Sequence, residues 1–153
     1  MSWLIELITN PFLITGISSW FFAQVLKTII YLVINKKLDM TRMFGDGGMP
    51  SCHSATVTSL ATITGISFGL ASFEFGVATI LAIVVCHDAM GVRLETGKQA
   101  IILNEIIKAF DDLSAEKLPE VKLKEFVGHT PIQVLAGIIL GFFMALILHF
   151  LVF

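Results

Sequence analysis

The chain has 153 residues, of which 56% are hydrophobic and only 14% are charged, and its net charge is −2. These values lie far outside the range of soluble globular proteins and predict a single membrane domain over residues 1–153. The basic residues are interleaved with acidic ones and form no basic stripe, which excludes a nucleic-acid partner.

The apolar stretches predict an all-α integral membrane protein, since a helix needs about 20 apolar residues to cross a bilayer. Residues 1–10 predict a short interfacial helix that ends before the break at Asn10-Pro11. We expect this N-terminal helix, four transmembrane helices and a cytoplasmic-side amphipathic helix in the connection 94–128. The four spans are expected near residues 12–35, 51–72, 73–90 and 131–153.

The basic residues also predict the orientation of the chain. All of them except Lys27 lie in or beside two long connections, residues 36–50 and 91–130. With four spans these connections share one side, and the positive-inside bias makes it the cytoplasmic side. The sequence therefore predicts a multi-pass protein of the plasma membrane with both connections in the cytoplasm.

Lys27 lies inside the first span, where a charged side chain is costly. Two interpretations are open at this stage. The side chain can extend to the interface with its ammonium group in water, or it can face the interior of the bundle and meet an anion there.

Residues 47–55 combine turn-forming glycines, a proline and a histidine at the start of an apolar segment. Gly47 and Gly48 allow a tight approach of the backbone, and Pro50 suits the first position of a helix. The helix start, with Ser51 and Ser54, would favour a small anion. The simpler alternative is that these residues only begin a membrane helix.

The third span ends at a charged segment that contains Asp88 and Arg93. A structural ion pair explains these two residues about as well as a catalytic role. Further on, helical spacing of apolar residues around 103–113 predicts the amphipathic helix. Thr130, Pro131 and Gln133 then form the pattern of a capping box for the last span, in which the glycines at 137 and 141 have the spacing of close helix packing.

The direction of the helices brings the ionisable residues to one membrane edge. His53 begins the second span, Asp88 and Arg93 end the third, His129 precedes the fourth, and Lys27 faces the same end. Helix N-termini and cationic side chains bind phosphate. A neutral histidine can attack phosphorus, while a protonated one donates to the leaving oxygen.

Several ordered motifs resemble the divergent phosphatidic-acid-phosphatase type 2 family, also described as acid phosphatase/vanadium-dependent haloperoxidase-related. They are Gly-Gly-Met-Pro-Ser-Cys-His-Ser-Ala at 47–55, Asp-Ala-Met-Gly-Val-Arg at 88–93, Gly-Lys-Gln-Ala at 97–100 with Leu-Asn at 103–104, and Gly-His-Thr-Pro at 128–131. The resemblance covers nearly the whole chain. It implies a phosphatase that uses two histidines and no metal or other cofactor.

The resemblance implies a general-acid role for His53 and a nucleophilic role for His129. Our own hypothesis is that Asp88 acts as the supporting carboxylate from the neighbouring helix. Gln133 stands where the broader superfamily has a supporting aspartate. The superfamily's Arg-Pro after its lysine and its Ser-Arg before the nucleophilic histidine have no counterpart here, and Ile34 stands at the first of these arginine positions. The residues expected to bind substrate are Lys27, Ser51, Ser54, Arg93, Lys124 and Gln133.

The sequence thus predicts a metal-independent phosphatase that hydrolyses a lipid or isoprenoid phosphate, monoester or diphosphate, at the bilayer. Two alternatives remain. A non-catalytic binding or transport protein could retain the same pocket for a phosphorylated lipid. A transition metal could be bound by His53, His87, Asp88 and His129, although their spacing matches no known metal motif. Homo-oligomer formation is left open.

Overall fold

The computed structural model describes residues 2–43, 45, 47–113, 123–124 and 127–152. All regular elements in these residues are helices, which confirms the predicted all-α class. The α-helices are α1 (Ser2–Ile8), α2 (Pro11–Asn35), α3 (Cys52–Phe68), α4 (Phe73–Met90), α5 (Val92–Leu113) and α6 (Pro131–Leu151), with a 3₁₀ turn at Met40–Met43.

Three helical stretches of the described chain are long and apolar enough to cross a bilayer: Pro11–Asn35, Phe73–Phe110 and Pro131–Leu151. The second of these joins α4 to most of α5 across Gly91. Residues 51–72, expected as a further span, form α3 and a turn. At 17 residues, α3 is about 25 Å long at 1.5 Å per residue.

The helix starts follow from polar side chains that cap free amide groups. The side-chain oxygen of Asn10 accepts hydrogen bonds from the N–H groups of Phe12 and Leu13 at 2.9 and 3.2 Å, which separates α1 from α2 where the sequence predicted a break. In the same way Ser51 caps α3 and Ser72 caps α4.

The interior of the bundle is built from small residues, whereas many of the large apolar side chains face outward. Ala23 and Ala55 are fully buried against Cys52, with Trp20 and Leu140 packed around them. Small residues let helix backbones approach closely, and in lipid there is no hydrophobic penalty for apolar side chains on the outside. This inverted pattern is the one expected of a membrane bundle.

Helix α6 packs on α3 through the two glycines that the sequence singled out. A Cβ atom at Gly137 would overlap the carbonyl oxygen of Ser51, and one at Gly141 would overlap the carbonyl oxygen of Ala55. The N–H of Ser51 also donates to the carbonyl oxygen of Gln133 at 3.0 Å. The predicted close packing at both glycines is therefore confirmed, and α3 is its partner.

Helix α5 is amphipathic, and its apolar side chains remain exposed, with Leu103 and Ile106 each 47% exposed and Phe110 58% exposed. The side-chain amide of Asn104 pairs with the backbone of Leu123 in both directions, each hydrogen bond measuring 3.0 Å. Residues 114–122, 125 and 126 of the predicted amphipathic connection lie outside the described residues. Its placement on the bilayer surface stays a prediction.

The packing of α6 on α3 predicts that Gly141→Ala destabilises the protein by about 1–3 kcal/mol, because the added methyl group must displace the backbone of α3. The control is Gly76→Ala in α4, where an added Cβ meets nothing within 4 Å. That change should be neutral or stabilising by up to about 1 kcal/mol. Thermal unfolding of the purified protein in one detergent measures both, and equal melting temperatures for the two variants would contradict the packing.

Candidate functional site

His129 lies in a short connection that is fixed to the junction of α4 and α5. Its N–H donates to the carbonyl oxygen of Ala89 at 2.9 Å. The preceding Gly128 has φ +88° and lies against the backbone of Arg93 and Leu94, where a Cβ atom would overlap main-chain atoms. Only glycine combines this φ with so close an approach. The His129 residue is consequently 2% exposed.

Gln133 holds the imidazole of His129 from the first turn of α6. Its Oε1 lies 3.3 Å from Nδ1 of His129 and accepts a hydrogen bond from the N–H of Thr130 at 3.1 Å. The second contact belongs to the capping box that the sequence predicted, which is present. Gln133 therefore both starts α6 and orients the ring.

His53 faces His129 from the first turn of α3, with 6.3 Å between the centres of the two rings. The N-cap of this helix is Ser51, whose Oγ accepts from the N–H and from the hydroxyl of Ser54 at 3.3 and 3.0 Å. Both serines are fully buried. Pro50 was expected at the first helical position but lies before the N-cap, because the serine side chain supplies the acceptor that starts the helix.

Lys27 is 3% exposed, so it faces the interior and does not extend to the interface. Its Nζ donates to the carbonyl oxygen of Gly45 at 3.1 Å. Gly48, at φ +87°, covers the stem of the lysine so closely that a Cβ there would lie 3.2 Å from Cγ of Lys27. The glycine-rich loop thus encloses the lysine side chain.

Burial lowers the pKa of His129 below its ordinary value of 6.5, because desolvation disfavours the charged imidazolium. The positive charges of Lys27 and His53 act in the same direction, while hydrogen bonds with the Gln133 side chain and the Gly48 backbone oppose it. The lowering effects prevail, so His129 is neutral at pH 7.

The other predicted site residues lie at the surface. Asp88 and Arg93 form an ion pair with 2.7 Å between Oδ2 and Nε, and their side chains are 41% and 49% exposed. Lys124 is exposed beside Leu123, the residue that Asn104 binds. Among the described contacts, it is Gln133 and not Asp88 that reaches the imidazole of His129.

The site also uses backbone groups, of which the sequence singled out Gly48 but not Gly45 or Ala89. The carbonyl of Gly45 contacts Lys27, the backbone of Gly48 hydrogen-bonds His129, and the carbonyl of Ala89 anchors the His129 backbone. The glycines at 45, 47 and 48 are the sequence feature from which the contacts of this loop could have been predicted. Within the described part of the chain, no group of three or more His, Cys, Asp or Glu residues could hold a metal ion.

Comparison with known proteins found a matching family model and a similar membrane protein. The model of the Divergent PAP2 family matches residues 8–144. The "Uncharacterized membrane protein YuiD" of Bacillus subtilis (strain 168) is 38% identical over 154 residues, covering 95% of this chain and 98% of the relative. No solved structure matches the chain. With its three apolar helical stretches and this membrane-protein relative, the chain is a multi-pass membrane protein.

The electrostatics predict that His129 titrates below pH 6.5 and that Lys27→Met raises its pKa, because one of the positive charges that disfavour the imidazolium is removed. NMR titration of histidine-labelled protein in micelles measures both values. The control is Lys98→Met, since Lys98 is an exposed residue that pairs with Glu95 on α5. A wild-type midpoint at or above 6.5, or equal shifts in the two variants, would contradict this description of the site.

Proposed function

The chain belongs to the divergent PAP2 family, and on that premise we propose that it is a membrane-embedded phosphatase acting on a lipid or isoprenoid phosphate, monoester or diphosphate, through a histidine nucleophile. The observation that carries the proposal is the pair of imidazoles, His53 and His129, with ring centres 6.3 Å apart. At this separation both rings can reach one phosphoryl group. The buried Lys27 places a positive charge close enough to act on His129.

His129 is suited to the nucleophilic step because it is neutral at pH 7 and its ring is held. When Nδ1 donates its proton to Oε1 of Gln133, Nε2 retains the lone pair that attacks phosphorus. A P–N bond forms as the bond from phosphorus to the leaving oxygen breaks, and His53 donates a proton to that oxygen. Water then attacks the phosphohistidine and gives a proton back to His53, which releases inorganic phosphate and restores both rings.

The charge on the phosphoryl group would be balanced from several directions. Lys27 supplies a full positive charge, and the N-terminus of α3 with Ser51 and Ser54 supplies the positive end of a helix dipole. We assign Arg93 and Lys124, both exposed, to the attraction of the anionic head group from the surface. In this proposal Asp88 positions Arg93 through their ion pair, and Gln133 orients His129.

The proposed placement in the membrane is a single domain in which α2, α3, α4 and α6 all cross the bilayer. The short α3 would cross with the help of the loops at its two ends, and the exposed apolar surfaces of α1 and α5 would lie in the interface. The distribution of basic residues supports a site at the cytoplasmic face of the plasma membrane.

One observation favours a second candidate function, the binding or transport of a phosphorylated lipid without hydrolysis. Gln133 occupies the position beside His129, and a neutral amide can orient an imidazole but cannot stabilise its positive charge as a carboxylate does. In that case the same pocket would hold the phosphate, and no phosphohistidine would form.

The two histidines are expected to respond differently to the leaving group. His53→Ala should slow hydrolysis of an alkyl or prenyl phosphate by about 10²- to 10⁴-fold, the usual contribution of a general acid. It should slow hydrolysis of p-nitrophenyl phosphate much less, because nitrophenolate leaves without a proton. His129→Ala should abolish release of inorganic phosphate from both substrates, together with ³²P labelling of protein denatured in alkaline detergent, where a phosphohistidine survives.

The control for this experiment is His149→Ala at the opposite end of α6, which should change neither rate. Folding of each variant is checked by its melting temperature in the same detergent. Tight binding of a lipid phosphate with no phosphate release by wild-type protein, from any member of a broad panel, would instead establish the binding function.

Gln133→Glu is expected to raise the pKa of His129, because a carboxylate would replace a neutral amide beside the ring. The fold should tolerate this change, since glutamate also completes a capping box with Thr130. His129 would then become neutral only at higher pH, so the acidic limb of the pH–rate curve should move up by the same amount. Gln99→Glu, on the exposed surface of α5, is the matched control. An unmoved limb in Gln133→Glu would contradict the nucleophilic role.

A further inference from the structure

A groove of about 690 Å³ runs between α3, α4 and α6, on the outside of the bundle. Its surface is mainly apolar, and its polar side chains are a few threonines and His87. The lining side chains include Thr58, Ala82, Cys86, Met90, Ile138 and Phe142. A cavity of this size with mostly hydrophobic walls is typical of a binding site for a small molecule with a substantial apolar part.

One end of the groove, at Cys86 and Met90, adjoins Ala89, the residue that holds the His129 backbone. Its walls are formed by α3, α4 and α6. Helix α3 carries His53, α6 follows His129, and the Ala89 carbonyl of α4 accepts a hydrogen bond from the N–H of His129. A buried cluster of Cys86, Ala89 and Val134 joins the end of the groove to the connection that contains His129.

The groove is also long enough for a hydrocarbon chain. Its lining on α4 extends from Phe75 to Met90, which corresponds to about 22 Å at 1.5 Å per residue. One leaflet of the hydrocarbon core is about 15 Å thick. A chain that starts at the histidines could therefore follow the groove past the middle of the bilayer.

We propose that this groove binds the hydrocarbon chain of the substrate while its phosphate lies between His53 and His129. The inference rests on the proposed function and names the substrate class as a long-chain alkyl or prenyl phosphate. It is supported by the chemistry of two regions that the residues around His129 connect: Lys27 and the N-terminus of α3 favour an anion, and the groove walls are apolar. An amphiphile with an anionic head and an extended apolar tail matches both parts.

The experiment uses the full chain in phosphatidylcholine nanodiscs and a non-hydrolysable alkyl phosphonate that carries a diazirine at the end of its chain. After irradiation, mass spectrometry locates the labelled residues. In wild-type protein the label is expected on the groove walls near Phe75 and Phe142. Ala82→Trp, which fills the groove, should remove most of this labelling, because the indole takes the space of the chain. Val84→Trp, 58% exposed and outside the groove lining, should not.

Two outcomes would overturn the groove proposal: labelling spread over outward-facing residues such as Ile17, or equal labelling by an uncharged alkyl ether of the same length. The second result would mean that the groove takes bilayer lipid in general. The wild-type labelling map does not depend on the folding of either variant. Labelling also requires no turnover. An absence of phosphate release would therefore contradict the proposed phosphatase activity and not the proposed binding of a chain in the groove. In an active protein, Ala82→Trp should lower the ratio of kcat/KM for long-chain to short-chain phosphates, because only the long chain reaches the filled part of the groove.

Discussion

The backbone contact between α3 and α6 is the constraint on which the rest of the site depends. Gly137 and Gly141 let α6 approach the carbonyl groups of Ser51 and Ala55, so the N-terminal turns of both helices lie side by side. In lipid, helix association relies on this close packing rather than on a hydrophobic driving force. The hydrogen bond from Ser51 to Gln133 sets the register, and the register brings His53 opposite His129.

A second constraint is the burial of charge beside these rings. Lys27 lies in the interior under the glycine loop, where an ammonium group is costly unless its surroundings compensate it. The same burial keeps His129 neutral. One arrangement therefore favours an anionic ligand and preserves a nucleophilic imidazole, which are the two properties that phosphoryl transfer to histidine requires.

The junction of α4 and α5 serves the site in a different way. It anchors the His129 connection through backbone contacts at Ala89, Arg93 and Leu94. The side chains of Asp88 and Arg93 meanwhile form an ion pair at the surface. An exposed ion pair contributes little to stability. The segment therefore serves the site through the close approach of its backbone and through the charged groups that it presents to the solvent.

The sequence by itself determined the helical membrane class, the capping box at Thr130 and the close-packing glycines of α6, because hydropathy, capping and small-residue spacing are local properties. It also brought His53, His129 and Lys27 to one end of the bundle, although it left open whether Lys27 faced the interface or the interior. Only the tertiary structure decided that question, and it placed Gln133 rather than Asp88 beside His129. It also supplied the backbone groups of Gly45, Gly48 and Ala89. Those contacts depend on how separate helices pack in space. When two neighbouring helices each carry a candidate side chain, the residue types along the chain do not show which of the two reaches a given ring.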